Sequence, residues 1–100
     1  MAVQASFEPS YTRGITVEPS TASASSVIGV KSKALVFTNL SASVIAYVRV
    51  GNAGITASTA DYPLLPNSQI SVSKCQDDTH VAYITASGTG SVHIIPGEGY

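Results

Sequence analysis

Apolar and polar residues alternate along much of this chain from residue 27 onward. A period of two marks strands with one face buried. In "SVIAYVRVG" (43–51), Val44, Ala46, Val48 and Val50 project one way, and Ile45, Tyr47 and Arg49 the other. "QISVS" (69–73) repeats the pattern, with Ile70 and Val72 on one face. "KALVFTN" (33–39) is rich in β-branched and aromatic residues, which suit a pleated surface. "HVAYITA" (80–86) and "SVHII" (91–95) flank "SGTG" and predict a β-hairpin, with Gly88 and Gly90 supplying left-handed turn positions. "NLSAS" and "GNAG" are turn clusters. In "DYPLLPN", Pro63 and Pro66 remove ladder donors, so this is a loop or an edge segment. No stretch carries the period of a long amphipathic helix. Short strands punctuated by turns about every eight to twelve residues predict an all-β fold, a small antiparallel β-sandwich of jelly-roll or Ig-like type.

The first 26 residues have a different texture. "STASASS" cannot bury enough apolar surface to order itself, and Pro9 and Pro19 are breakers. Phe7, Tyr11, Ile15 and Val17 nevertheless punctuate the segment, as anchors of an extended chain would. The expected organisation is an extended N-terminal arm over residues 1–26, docking on a neighbouring subunit, and a β-sandwich domain over 27–100. "GITVE" is a candidate short edge strand within the arm.

Charged residues are 11% of the chain, against about 25% in an ordinary soluble domain. The formal charge is −1, and Arg13, Lys31, Lys33, Arg49 and Lys74 are scattered. Neither a nucleic acid nor an anionic membrane is expected as a partner, because both need a basic patch. No apolar stretch is long enough to span a bilayer as a helix. The N-terminus lacks a signal-peptide pattern, so synthesis in the cytoplasm without Sec-type export is expected. Cys75 is the single cysteine and has no partner for an intrachain disulfide.

On the expected hairpin, Val81, Tyr83, Val92 and Ile94 share one face, while Ala82, Ile84, His93 and Ile95 share the other. Both faces are largely apolar, where a monomeric sandwich should show one polar face. The outer face is therefore expected to be covered by the arm or by another subunit. A sandwich of this size is marginal on one core alone, and oligomerisation is a physical route to extra stability.

Reactive chemistry finds little support. In the hairpin register His80 and His93 stand roughly 13 Å apart at ~3.4 Å per residue, too far for one metal ion. Asp77, Asp78 and His80 would make at most a weak cation site in a solvated turn. There is no "GxSxG" elbow, and Glu98 in "PGEGY" has no acid/base partner. "SGTG" precedes a strand, whereas a phosphate loop precedes a helix. The chain is thus expected to be no enzyme, with no catalytic residue, no metal site and no cofactor. A carbohydrate-binding sandwich is the alternative, but it wants aromatics lining a groove; the chain has no Trp and its tyrosines are dispersed.

Residues 38–99 carry "AYVRVG", "TASTADYPLLP", "DTHVAYI", "SGTG" and a closing "PGEG". In these motifs the chain resembles small virion-associated proteins of tailed bacteriophages. The resemblance implies a capsid decoration (cement) protein, or another head–tail or tail component, located in the virion. It implies the major capsid protein or other virion proteins as partners, and a homo-oligomeric state. The expected contact residues are Phe7, Tyr11, Ile15 and Val17 in the arm, Tyr62, Leu64 and Leu65 in the "YPLLP" loop, and Ile84, His93 and Ile95 on the outer face.

Overall fold

The computed structural model describes residues 8–9, 13–28, 32–74 and 78–98, and none of these is helical. Nine strands follow in order: β1 (Glu8–Pro9), β2 (Ile15–Val17), β3 (Ala24–Val27), β4 (Ala34–Asn39), β5 (Ala46–Gly51), β6 (Tyr62–Leu64), β7 (Gln69–Ser73), β8 (His80–Thr85) and β9 (Val92–Glu98). One sheet runs β1-β9-β4-β7, with β2 also paired to β9; the other runs β3-β8-β5-β6. Each of these neighbouring pairs is antiparallel. From β2 onward, successive strands alternate between the two sheets, except that β5 and β6 are neighbours in one sheet. This is the interleaved order of a jelly roll, which resolves the two sandwich types left open by the sequence.

Side-chain alternation builds the interior. Leu35 and Phe37 from β4, Val92 and Ile94 from β9, Val81 from β8 and Leu64 from β6 are all buried and face one another across the layers. Ala46 and Val48 are buried on β5, whereas Tyr47 is half-buried and Arg49 exposed, as the alternation in "SVIAYVRVG" predicts. Ile70 and Val72 pack against the core from the edge strand β7.

Two expectations are corrected. β8 and β9 are not a hairpin: β8 pairs with β3 and β5, and β9 with β1, β2 and β4. Residues 86–91 cross between sheets, which pack about 10 Å apart. Gly88 does take a left-handed conformation (φ 74°), but Gly90 does not. A Cβ at Gly90 would lie 3.1 Å from Ser41 Oγ, a tight approach to the hydroxyl that accepts from Ser91 N. The second correction concerns the first 26 residues. Ile15–Val17 and Ala24–Val27 are strands of the two sheets, and β3 crosses the expected boundary at 26/27. Ser and Thr dominate there because β3 is an exposed edge with little core to fill. "GITVE" is indeed an edge strand.

Pro96 lies within β9, a strand paired on both sides. Leu40 N donates to Ser91 O, which sets the phase of the β4–β9 ladder: even residues of β9 point their amides away from β4. Pro96 therefore withholds a donor only from the β1/β2 side. Pairing on that side passes from Gly97 opposite Pro9 to Ile94 opposite Ile15, with no bridge at Pro96. The missing N–H costs no ladder bond.

Candidate interaction surfaces

The loops 18–23, 40–45, 65–68 and 86–91 gather at one end of the sandwich, as the strand order requires. Asn39, buried at the end of β4, ties them together. Its Nδ2 donates to Val44 O (2.9 Å) and Leu64 O (2.8 Å), and its Oδ1 accepts from Ser41 N (3.0 Å). Ser41 extends the network: its Oγ accepts from Ser91 N (2.8 Å) and its carbonyl from Asn67 N (3.0 Å). Thr85 Oγ1 donates to Gly88 O (2.7 Å), and Gly90 N to Pro19 O (2.9 Å). Asn67 adopts a left-handed φ of 56° in the β6–β7 turn, a conformation asparagine tolerates well. No buried side-chain N or O among the described residues lacks a partner. This held end presents apolar side chains to solvent: Leu65 is 57% exposed, Leu40 54% and Ile45 37%. Ile45 and Leu65 each adjoin the paired residues Ala46 and Leu64.

The β6–β7 flank adjoins this end. A cleft of about 280 Å³ opens between the two edge strands, lined by Tyr62, Pro63, Leu64, Leu65, Ser68, Gln69 and Ile70. A second shallow depression, of about 470 Å³, lies over Val36, Thr38, Gln69, Ser71, His93 and Ile95 on the outer face of the β4/β7/β9 sheet. Gln69 Nε2 donates to Thr38 Oγ1 there (2.9 Å). No Phe, Tyr or Trp lines this depression.

The expected contact residues fall in four places. Phe7 and Tyr11 lie outside the described residues. Ile15 and Val17 turn inward from β2 onto their own core, with Val17 buried and Ile15 half-buried, so they anchor the chain to its own sandwich. Tyr62 and Leu65 are exposed at 46% and 57%, but Leu64 between them is a core residue at 1%. Alternation turns Leu65 away from Leu64, whereas Tyr62 shares the face of Leu64, opposite Val48, and is exposed where that face reaches the open edge. Ile84 lies on the outer face of one sheet, paired with Tyr47, whereas His93 and Ile95 lie on the outer face of the other. They form no common surface, because the grouping assumed a hairpin. Leu40 and Ile45 were missed by sequence reasoning. The alternation groups Ile45 with Tyr47 and Arg49, and only the pairing of Ala46 with Leu64 sets it beside Leu65.

The two histidines share no site. His80 stands on β8, with Nδ1 2.8 Å from Thr79 Oγ1, and His93 on β9 in the opposite sheet. The His93 imidazole covers Gly14, where an added Cβ would lie 2.7 Å from Nε2. Among the described residues no cluster of three or more His, Cys, Asp or Glu side chains could hold a metal. Arg49 Nε and Asp61 Oδ1 form a long ion pair at 4.0 Å with the arginine largely exposed.

No family model and no curated protein matches the chain. Solved structures do share its fold. Hydroxypropylphosphonic acid epoxidase from S. wedmorenis, solved in complex with fosfomycin, is 10% identical, with a TM-score of 0.51. The match covers 83% of this chain but only 42% of the epoxidase, so the chain spans about two fifths of that protein's length. PirA is 9% identical with a TM-score of 0.51 over 84% of this chain and 93% of its own. Bacillus endospore appendages, which form disulfide-linked pili, are 12% identical with a TM-score of 0.45 over 98% of this chain and 96% of theirs. At these identities the likeness to the epoxidase and to PirA is one of fold. The likeness to the epoxidase corrects the expectation that the chain is no enzyme, which rested on the lack of recognisable catalytic motifs: a protein of this fold is an enzyme, so the architecture does not rule out catalysis.

Proposed function

We propose that the protein is a structural subunit of a multi-copy particle, and specifically a capsid decoration protein of a tailed-phage virion. The observation that carries the reading is the exposure of Tyr62 and Leu65 in one apolar cleft on the β6–β7 flank, with Leu40 and Ile45 also exposed on loops at the adjoining end. Apolar side chains fixed on a hydrogen-bonded support are suited to burial against a partner surface. The scarcity of charge, 11% of residues, removes a barrier to close packing of copies. The resemblance of residues 38–99 to phage virion proteins supplies the particle. Contacts to the major capsid protein would stabilise the assembled shell, because a ligand that binds only the assembled state favours it.

Quantitative mass spectrometry of purified virions tests this. Hundreds of copies per particle are expected for decoration on the order of one per capsid site. A copy number matching a single ring would move the protein to the head–tail junction or tail. Absence from the particle would refute the virion reading.

A further inference from the structure

The two edge strands on one flank differ in what their backbones offer. Ile28 N donates to Thr79 O, and this bond with the continuous registers of β8, β5 and β6 fixes the phase of that sheet. Tyr62 and Leu64 turn their backbone groups to β5, and the outward position of β6 is Pro63, which has no N–H. The β6 edge is closed. On β7, Asn39 N donates to Ser68 O and Lys74 N to Lys33 O, at the two ends of an unbroken register with β4. Even residues therefore bond to β4, and Gln69, Ser71 and Ser73 aim both N–H and C=O out of the sheet. Among the described residues no backbone partner meets them. The edge carries no charge, no proline and no bulge, which are the usual guards against strand addition.

We infer that β7 is a homodimer interface, in which two copies pair β7 antiparallel about a twofold axis through Ser71. The pattern is self-complementary. With Ser71 opposite its own copy, Gln69 falls opposite Ser73, and each of these outward residues exchanges both backbone bonds. Ile70 falls opposite Val72 on the inner face, so two half-buried core side chains complete each other's cover. Hydroxyls and amides stay on the outer face, and no like charges meet. The cleft holding Tyr62 and Leu65 opens beside the axis, which brings exposed apolar surface of both copies to the same junction. The other edges suit this less well. β3 is shorter, and its entry is covered where Ser23 Oγ accepts from Ala57 N. Pairing along β1 and β2 is broken by a register change.

This deepens the reading of the chain as an assembling subunit and rests on it. The test is sedimentation velocity of the full chain from micromolar to millimolar concentration. A reversible dimer of twice the 10.3 kDa chain mass is expected. Ser71→Lys and Ser71→Glu place like charges opposite each other only in this register, and each should weaken dimerisation about tenfold or more. An equimolar mixture of the two should restore it, while Ser71→Ala leaves it unchanged. Circular dichroism and thermal melting confirm that each variant is folded. A parent chain that is monomeric throughout overturns the inference. So does a dimer that Ser71→Lys leaves intact, or a mixture of folded variants that stays monomeric. A monomeric chain that is still found in virions would overturn the β7 pairing alone and leave the virion reading standing.

Discussion

The loop end and the β7 edge are built from similar residues, yet they treat their polar groups in opposite ways. At the loop end, Asn39 and Ser41 find partners within the chain for side chain and backbone alike. Along β7, Gln69, Ser71 and Ser73 leave half of the strand's backbone bonding capacity facing outward. Ser41 and Ser71 make the contrast concrete. One serine hydroxyl holds a neighbouring loop, while the other lies on an open sheet face. The residue type does not set the role; the partner within reach of it does. The held end is where the chain spends its internal bonds, and the open edge is where another chain can add its own.

Substitutions should separate the two regions by size of effect. Leu64→Ala should cost about 2–5 kcal/mol in urea denaturation, as for other buried leucines. Asn39→Ala should cost about 2–4 kcal/mol, since it removes the side-chain partner of Val44 O, Leu64 O and Ser41 N at once. Ser41→Ala should cost about 1 kcal/mol through the loss of the Ser91 N–H partner. At the open flank, Leu65→Ala and Ser71→Ala should each stay within about 0.5 kcal/mol in the monomer. A Ser41→Ala variant as stable as Ser71→Ala would remove the distinction. A Leu65→Ala variant as damaged as Leu64→Ala would show that the exposed leucine is held by contacts of its own.

Much of the sandwich was legible in the sequence. Strands β4, β5 and β7 announce themselves by β-branched residues and alternation, and the inward sets Ala46/Val48 and Ile70/Val72 follow directly. What failed was the assignment of strands to sheets. "SGTG" is as good a signal for a crossing between layers as for a hairpin, because both need a tight turn and neither leaves a mark on the flanking alternation. That error joined Ile84 to His93 and Ile95, which lie on opposite outer faces. The N-terminal strands were hidden for a different reason. β3 is an edge with one inward half-buried residue, Ser26, whose Oγ lies 2.6 Å from Tyr83 Oη, so it has no apolar stripe to read. The contact loop was legible in part: Tyr62 and Leu65 are exposed, but the pleat that buries Leu64 depends on pairing with β5.

Residue-resolved amide hydrogen exchange along β7 tests the central claim most directly. Ile70 and Val72 should be protected at every concentration, because their amides bond to β4. Gln69, Ser71 and Ser73 should exchange freely in dilute chain and become protected as concentration rises. Free exchange at these three amides at all concentrations would contradict the pairing of two copies through this edge.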